Sequence, residues 1–224
     1  MSIFTRIIFI ITIIALFVGC AFVVIVYAAG YKIDIQNRNI SKTALISVDV
    51  DPSDSQVFLN GNLIGTGSQT IRNVDAGDYV LEVKKPNYRT FTKNIDAQEG
   101  QAIIILGAQL FMEQPLEQAL TKDFNQEDLA NLSDNENLTS LNDELRFKGE
   151  LITRLSQPIS GMSWFPNKNY IAFTSAGRLK LIATDGTNLI DILDKDSTSP
   201  VIFTKSGKSV IYENQGKILE AKIR

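Results

Sequence analysis

The hydrophobic pattern of this chain changes character several times along its length. From Ile7 to Ala29 the side chains are almost all apolar. Thr12, Cys20 and Tyr27 are the only polar ones, and no charge interrupts the run. As a helix this stretch would extend about 34 Å at ~1.5 Å per residue, enough to cross a hydrocarbon core of roughly 30 Å. A buried helix of a soluble domain is rarely apolar on every face for so long. From Ala44 the period becomes two: Ile46, Val48 and Val50 point one way, Ser47 and Asp49 the other, which predicts a half-buried strand. After residue 112 the pattern turns polar and acidic, and from 151 to 224 short apolar runs return between polar turns.

The leading apolar segment predicts an uncleaved transmembrane anchor over residues 1–30, with the lipid bilayer as its partner. Two processing alternatives stay open. Val26-Tyr27-Ala28 could serve as a small-residue cleavage site, although the run before it exceeds a usual secretory core. Phe17-Val18-Gly19-Cys20 resembles a bacterial lipobox, which would lipidate Cys20. Yet the apolar run continues through Ala21-Phe22-Val23-Val24-Ile25-Val26-Tyr27, which leaves Cys20 in mid-membrane as a small packing residue. Arg6 and the α-amino group precede the segment, and Lys32, Arg38 and Lys42 follow it. Counting cations alone points the C-terminal side to the cytoplasm. A long C-terminal domain translocates largely regardless of charge, so a single early span reads as a signal anchor with its C-terminal domains outside the cytoplasm.

Between residues 44 and 106 strand and turn signals alternate. Pro52 closes the first run. Val57-Phe58-Leu59 precedes Asn60-Gly61, the pair best suited to the two positive-φ positions of a type I′ hairpin turn. Gly65 and Gly77 are read as further turn residues. Tyr79, Leu81 and Val83 share one face of a strand that Lys85-Pro86-Asn87-Tyr88 breaks. Later strands hold Phe91, Ile95 and Ala102–Leu106. About six short strands predict a small antiparallel β-sandwich.

These residues resemble a PEGA domain over residues 44–111. Pro52, Asn60, Gly61, Gly65, Thr66, Gly77, Tyr79 and Tyr88 fall at the places where that family has its turns and its Gly-x-Tyr element. Departures occur in turns: Pro52-Ser53-Asp54-Ser55 keeps only the first residue of the eponymous tetrapeptide. The resemblance implies an extracytoplasmic β module of envelope or surface proteins, and it points to no known catalytic residue. Tyr79 and Tyr88 are read first as core or corner tyrosines and second as a ligand or partner surface.

Residues 113–147 form the predicted acidic linker. Pro115 could open a short helix, and Leu138, Leu141 and Leu145 recur at helical spacing, so the linker is expected to be partly helical. The stretch from Asp123 to Asp134 lacks the glycine that a calcium loop requires. Asn131-Leu-Ser and Asn137-Leu-Thr match glycosylation acceptors in form only.

The segment 148–224 contains an internal repeat of 39 residues: Trp164 aligns with Phe203, Ile171-Ala172-Phe173 with Val210-Ile211-Tyr212, and Gly177 with Gly216. That period suits four-stranded blades. The copies resemble the blades of WD40-like and TolB-type β-propellers, which makes this segment a β-meander of two blade-like repeats. Trp164 is read as a core aromatic, with a ligand or partner surface as the second reading.

Composition narrows the chemistry. The chain has no histidine, one cysteine and a net charge of −3. That removes the usual metal ligand, the usual neutral-pH base, any internal disulfide and the footprint of nucleic-acid binding. Ser160-Gly161-Met162-Ser163 is not a nucleophile elbow, and the glycines from Gly61 to Gly67 lack the Lys-Ser/Thr of a phosphate loop. Asp75, Asp78, Asp194 and Asp196 read as turn carboxylates. The expected protein is therefore mainly β behind an anchor, without catalytic, cofactor or metal residues. The leading expectation is a non-catalytic envelope module that binds cell-wall polymer or another envelope protein. Alternatives are an accessory subunit of an envelope enzyme or transporter, and a cytoplasm-facing scaffold.

Overall fold

The structure, a computed structural model, describes residues 3–28, 30–34, 39–120 and 137–224. Among the described residues it is mainly β, with one helix at the front and several small sheets, none of them closed. Two compact units emerge: Met1–Ser47 with Thr70–Tyr79 and Ile95–Ile105, and the remainder from Val48–Gln69, Val80–Asn94 and Leu106–Arg224.

The helix α1 spans Ile3–Ala28, and the stretch Ile7–Ala28 has no buried share at all. No proline breaks it, and the Thr12 hydroxyl donates to the Ile8 carbonyl at 2.9 Å. That bond satisfies the hydroxyl inside the helix, as an apolar surround requires. Gly30, at φ 80°, ends the helix by donating its N–H to the Tyr27 carbonyl. A short ribbon follows, β1 (Tyr31–Asp34) against β2 (Asn39–Lys42).

Seven strands then occupy residues 44–109: β3 (Ala44–Asp51), β4 (Gln56–Leu59), β5 (Asn62–Thr66), β6 (Gln69–Val74), β7 (Gly77–Lys84), β8 (Phe91–Ala97) and β9 (Ala102–Gln109). They form a three-stranded sheet in the order β6-β3-β9 and a four-stranded one in the order β5-β4-β7-β8. β3 buries Ala44, Ile46, Val48 and Val50 and leaves Asp49 and Asp51 exposed, so its period of two is expressed in full. Asn60 and Gly61 turn the β4–β5 hairpin at φ 50° and 76°. Asn60 also pins the hairpin to the next strand: its Oδ1 accepts from Val80 N–H at 2.7 Å, and its own N–H donates to the Val80 carbonyl. Gly65 departs from the turn reading. It lies on β5 opposite Val57, beside a bulge in that ladder. Gly77 opens β7 at φ 150°.

In the C-terminal half the described residues form three sheets. β10 (Leu116–Ala119) is followed, beyond residues 121–136, by β11 (Leu138–Leu141), β12 (Glu144–Phe147) and β13 (Glu150–Arg154), which form the first sheet. β14 (Ser160–Trp164), β15 (Tyr170–Ser175), β16 (Arg178–Ala183) and β17 (Ile190–Asp194) form the second. β18 (Ile202–Phe203), β19 (Ser209–Asn214) and β20 (Lys217–Lys222) form the third, with β10 added along β20.

The helical expectation for Leu138, Leu141 and Leu145 is corrected here. A two-residue turn at Asn142-Asp143, with Asn142 at φ 54°, reverses the chain between β11 and β12. Leu138 and Leu145 are buried on one face while Leu141 is 65% exposed on the other. The turn shifts the parity of the two strands, so two strand faces imitate a helical spacing. Pro115 likewise precedes β10 rather than a helix, because pairing with β20 captures that segment. The calcium-loop and Asn131 readings fall at residues outside those described.

The three sheets stack face to face. Leu138 and Leu145 of the first sheet pack with Ile171, Phe173 and Ile182 of the second. The opposite face of the second, through Tyr170, Ala172, Leu179 and Leu181, packs with Phe203, Val210, Tyr212 and Ala221 of the third. β15 is buried at all six positions because both its faces are covered.

Candidate functional surfaces

Each sequence-predicted residue has its own local role. Tyr79, half-buried, donates its hydroxyl to the Asp75 carbonyl at 3.0 Å, closing the turn before its own strand. Tyr88 forms an isolated bridge with Met112, and the Lys85 ammonium lies 4.8 Å above its ring. Trp164 sets its ring edge-on to Phe147 at 5.1 Å, between the first two C-terminal sheets. Tyr79 belongs to the first unit, Tyr88 and Trp164 to the second, and the latter two have different neighbours. Tyr88 and Trp164 therefore share no aromatic platform. The four turn aspartates are also accounted for by local partners or turn positions: Asp75 pairs with Lys32 at 2.8 Å, Asp194 with Arg178 at 3.0 Å, and Asp196 accepts from Gln215 N–H. Asp78 is exposed at the start of β7.

One recess stands out in the first unit. It encloses about 290 Å³ and is lined by the end of α1 at Tyr27 and Ala28, by Thr43–Leu45, by Arg72 and Asn73, and by Gly100–Ala102. Thr43 closes its floor, bonding the Gly30 carbonyl through both N–H and hydroxyl. Asn73 reaches the Tyr27 hydroxyl at 3.5 Å. Its polar lining comprises the Arg72 guanidinium, the Asn73 and Gln101 amides, the Thr43 hydroxyl and the Tyr27 phenol.

No motif or spacing pointed to Lys195. It is fully buried, and burial pulls its pKa down, opposed by Glu213 and Asp196. A buried, depressed lysine invites a catalytic reading. Its donors are all engaged, however: Nζ bonds Thr174 Oγ1 at 3.1 Å, the Ser199 carbonyl at 2.7 Å and the Ser197 carbonyl. This lysine fastens the loop after β17 onto β15. Asp185 and Lys93 form a second polar anchor, at 2.6 Å. Burial raises the Asp185 carboxyl, but hydrogen bonds from Lys93 and Thr187 outweigh it and hold the pKa below the usual value. On the outer face of the first sheet, Arg154 and Arg146 grip Glu144 from both sides and hold its carboxyl low. Among the described residues, no three His, Cys, Asp or Glu side chains converge as a metal site.

The turn that aligned at Gly177 and Gly216 has a third copy in the first sheet, which escaped sequence reading. Lys148-Gly149, Ala176-Gly177 and Gln215-Gly216 each have two successive positive φ values and each join two neighbouring strands. The first lies 28 residues before the second, whereas the second lies 39 before the third. A search at fixed period therefore finds two copies of a unit that occurs three times.

An apolar helix with the length and composition of a membrane span or signal sequence, followed by β sheets, defines the class of this protein. Within it, the family model of the PEGA domain matches residues 43–106, the seven-strand region from β3 into β9. No curated protein matches the chain.

Proposed function

We propose that the chain is a single-pass membrane protein that displays its β modules outside the cytoplasm, as a non-catalytic binding or structural component of the cell envelope. The carrying observation is the pairing of an apolar helix that buries no part of its span-length stretch with a PEGA match that begins at residue 43. In water, the side chains of α1 would expose a continuous apolar surface far beyond what soluble monomers tolerate. In a bilayer the stretch Ile7–Ala28, about 33 Å long at ~1.5 Å per residue, fits the hydrocarbon core. The two sheets of residues 44–109 support a PEGA-like sandwich, and the recurring turn supports a blade-like reading of the three later sheets. Engaged polar groups such as Lys195 favour recognition over catalysis. The partners that fit are envelope polymer or another envelope protein.

The test is fractionation of native membranes followed by co-sedimentation with purified envelope polymer. The protein should resist alkaline extraction, leave the membrane only with detergent, and then sediment with the polymer or with one envelope protein. Recovery in the soluble fraction without detergent would overturn the anchor. Co-purification with an enzyme or transporter subunit would replace the structural role with the accessory one.

A further inference from the structure

The recess at the end of α1 is rich in hydrogen-bond donors, and among the described residues no carboxylate lines it. Arg72 contributes its one charged side chain, and among the described residues that guanidinium has no ion pair or hydrogen-bond partner. Its neighbour joins it through a backbone irregularity. Successive strand residues normally face opposite ways. Asn73, at φ 57°, breaks that alternation in β6, and Arg72 and Asn73 both line the recess. Gly100, at φ 72°, turns the chain toward β9 and sets Gln101 in the lining.

The acceptors here are largely engaged within the fold. The Gly30 carbonyl receives both Thr43 donors. Gln101 Oε1 accepts from the Gln98 N–H at 3.1 Å, which leaves the Nε2 hydrogens to donate. The Tyr27 oxygen receives Asn73 Nδ2 at 3.5 Å, so its own proton is left to give. A guanidinium, amide hydrogens and a phenol proton together suit an anion with several acceptor oxygens.

The place of the recess along the chain indicates where that anion comes from. Tyr27 and Ala28 are the last two residues of the span-length stretch Ile7–Ala28. With α1 across a bilayer, they lie at headgroup depth, where tyrosines concentrate. A volume of about 290 Å³ is at the small end of ligand sites, suited to a headgroup rather than to a larger ligand.

We propose that the recess binds the phosphodiester anion of one anionic phospholipid, held by the Arg72 guanidinium, the Asn73 and Gln101 amides and the Tyr27 hydroxyl. The inference rests on the anchored reading of α1. Arginine suits the role because its planar fork meets two phosphate oxygens at once. Zwitterionic headgroups are disfavoured, because their ammonium finds no carboxylate in the lining and faces Arg72 instead. A lipid held in this way fastens the first unit to the membrane surface.

The test uses the full-length protein in neutral detergent, with bound lipid counted by native mass spectrometry. Phosphatidylglycerol and phosphatidylcholine with identical acyl chains are titrated separately. One phosphatidylglycerol should stay bound, about tenfold or more tighter than phosphatidylcholine, the scale of one charge-assisted hydrogen bond. Arg72→Gln should abolish that preference, and Arg72→Lys should keep part of it. Arg72 is exposed and unpaired among the described residues, so these changes leave the core untouched. Lys205→Gln, at an exposed turn of the second unit, should leave the preference intact. An equal loss from Lys205→Gln would show diffuse charge attraction and overturn the site, as would an undiminished preference in Arg72→Gln. Glycerol phosphate, added as a soluble competitor, should displace the lipid only weakly. Displacement at the lipid's own concentration would make the ligand a free phosphate ester and overturn the lipid assignment. Reconstitution into phosphatidylcholine vesicles reports the anchor separately, and the unaltered protein and Arg72→Gln should float alike. Protein that floats without headgroup preference overturns this site alone. Protein that does not float overturns the anchor and the site with it.

Discussion

Gly161 and Gly177 separate two demands that a glycine can meet. Both have positive φ, at 58° and 70°. A Cβ at Gly177 would meet open space, whereas one at Gly161 would sit 2.6 Å from the Ser199 carbonyl oxygen and 2.8 Å from that of Thr198. Gly177→Ala should cost about 1–2 kcal/mol, the left-handed backbone strain alone. Gly161→Ala should cost clearly more, because backbone must move. Urea unfolding of both variants checks the order; equal losses would mean that the loop at Ser199 yields freely. Lys195→Met is the companion case at this scale. It leaves the Ser197 and Ser199 carbonyls and the Thr174 hydroxyl without their donor, and each buried unpaired group costs ~1–3 kcal/mol. A loss of about 2 kcal/mol or more is expected by the same measurement. The two glycines look alike in sequence, since nothing local to Ser160-Gly161-Met162 announces a carbonyl from nearly 40 residues away. Lys195 was hidden for a related reason: in Asp194-Lys195-Asp196 it reads as one more charge of a polar turn. By contrast, the demand on Asn60-Gly61 arises within the hairpin itself and was legible.

At the scale of single elements, α1 is the plainest. Its pattern is all apolar, and such a pattern needs no tertiary partner to be read. Leu16→Arg should reduce insertion by ~3 kcal/mol, the cost of an arginine near the middle of a span. The check is the fraction of protein that alkaline extraction releases, which should rise sharply. The β11–β12 hairpin shows the opposite case: a two-residue turn placed Leu138 and Leu145 on one face and mimicked helical spacing. The first-sheet clasp of Glu144 also makes that element sensitive to acid. Hydrogen bonds from Arg154 and Arg146 lower the Glu144 pKa from its usual 4.5. The unfolded chain therefore binds the proton more readily, and the stability from this clasp is complete above about pH 4.5. It is lost as pH falls from there through the lower folded value. Glu144→Gln should flatten the acid limb of a Tm-versus-pH curve between those two values and lower Tm at pH 7. An unchanged acid limb would show that the clasp is fully screened.

For the whole molecule, the mainly β architecture behind a leading apolar helix was visible in the spacing of apolar residues. The number of later sheets was not. The first sheet keeps the Gly turn of its neighbours at Lys148-Gly149 but lies at a different interval and lacks their Trp-Phe-Pro or Phe-Thr-Lys lead-in. The capture of β10 by β20 was also out of reach, because a pairing across about 100 residues leaves no local signature. Both features concern which strands meet, and apolar period reports only which strands exist. They matter for function because they decide which β surfaces the molecule can offer.

That the molecule is anchored by α1 with its sheets on the far side of the membrane is most directly tested by labelling intact cells. A variant with Cys20→Ser and one new cysteine at Lys205, an exposed residue in the turn after β18, is treated with a membrane-impermeant maleimide. The label should reach Lys205→Cys in unbroken cells as fully as after lysis. Labelling only after lysis would place the sheets in the cytoplasm and contradict the account.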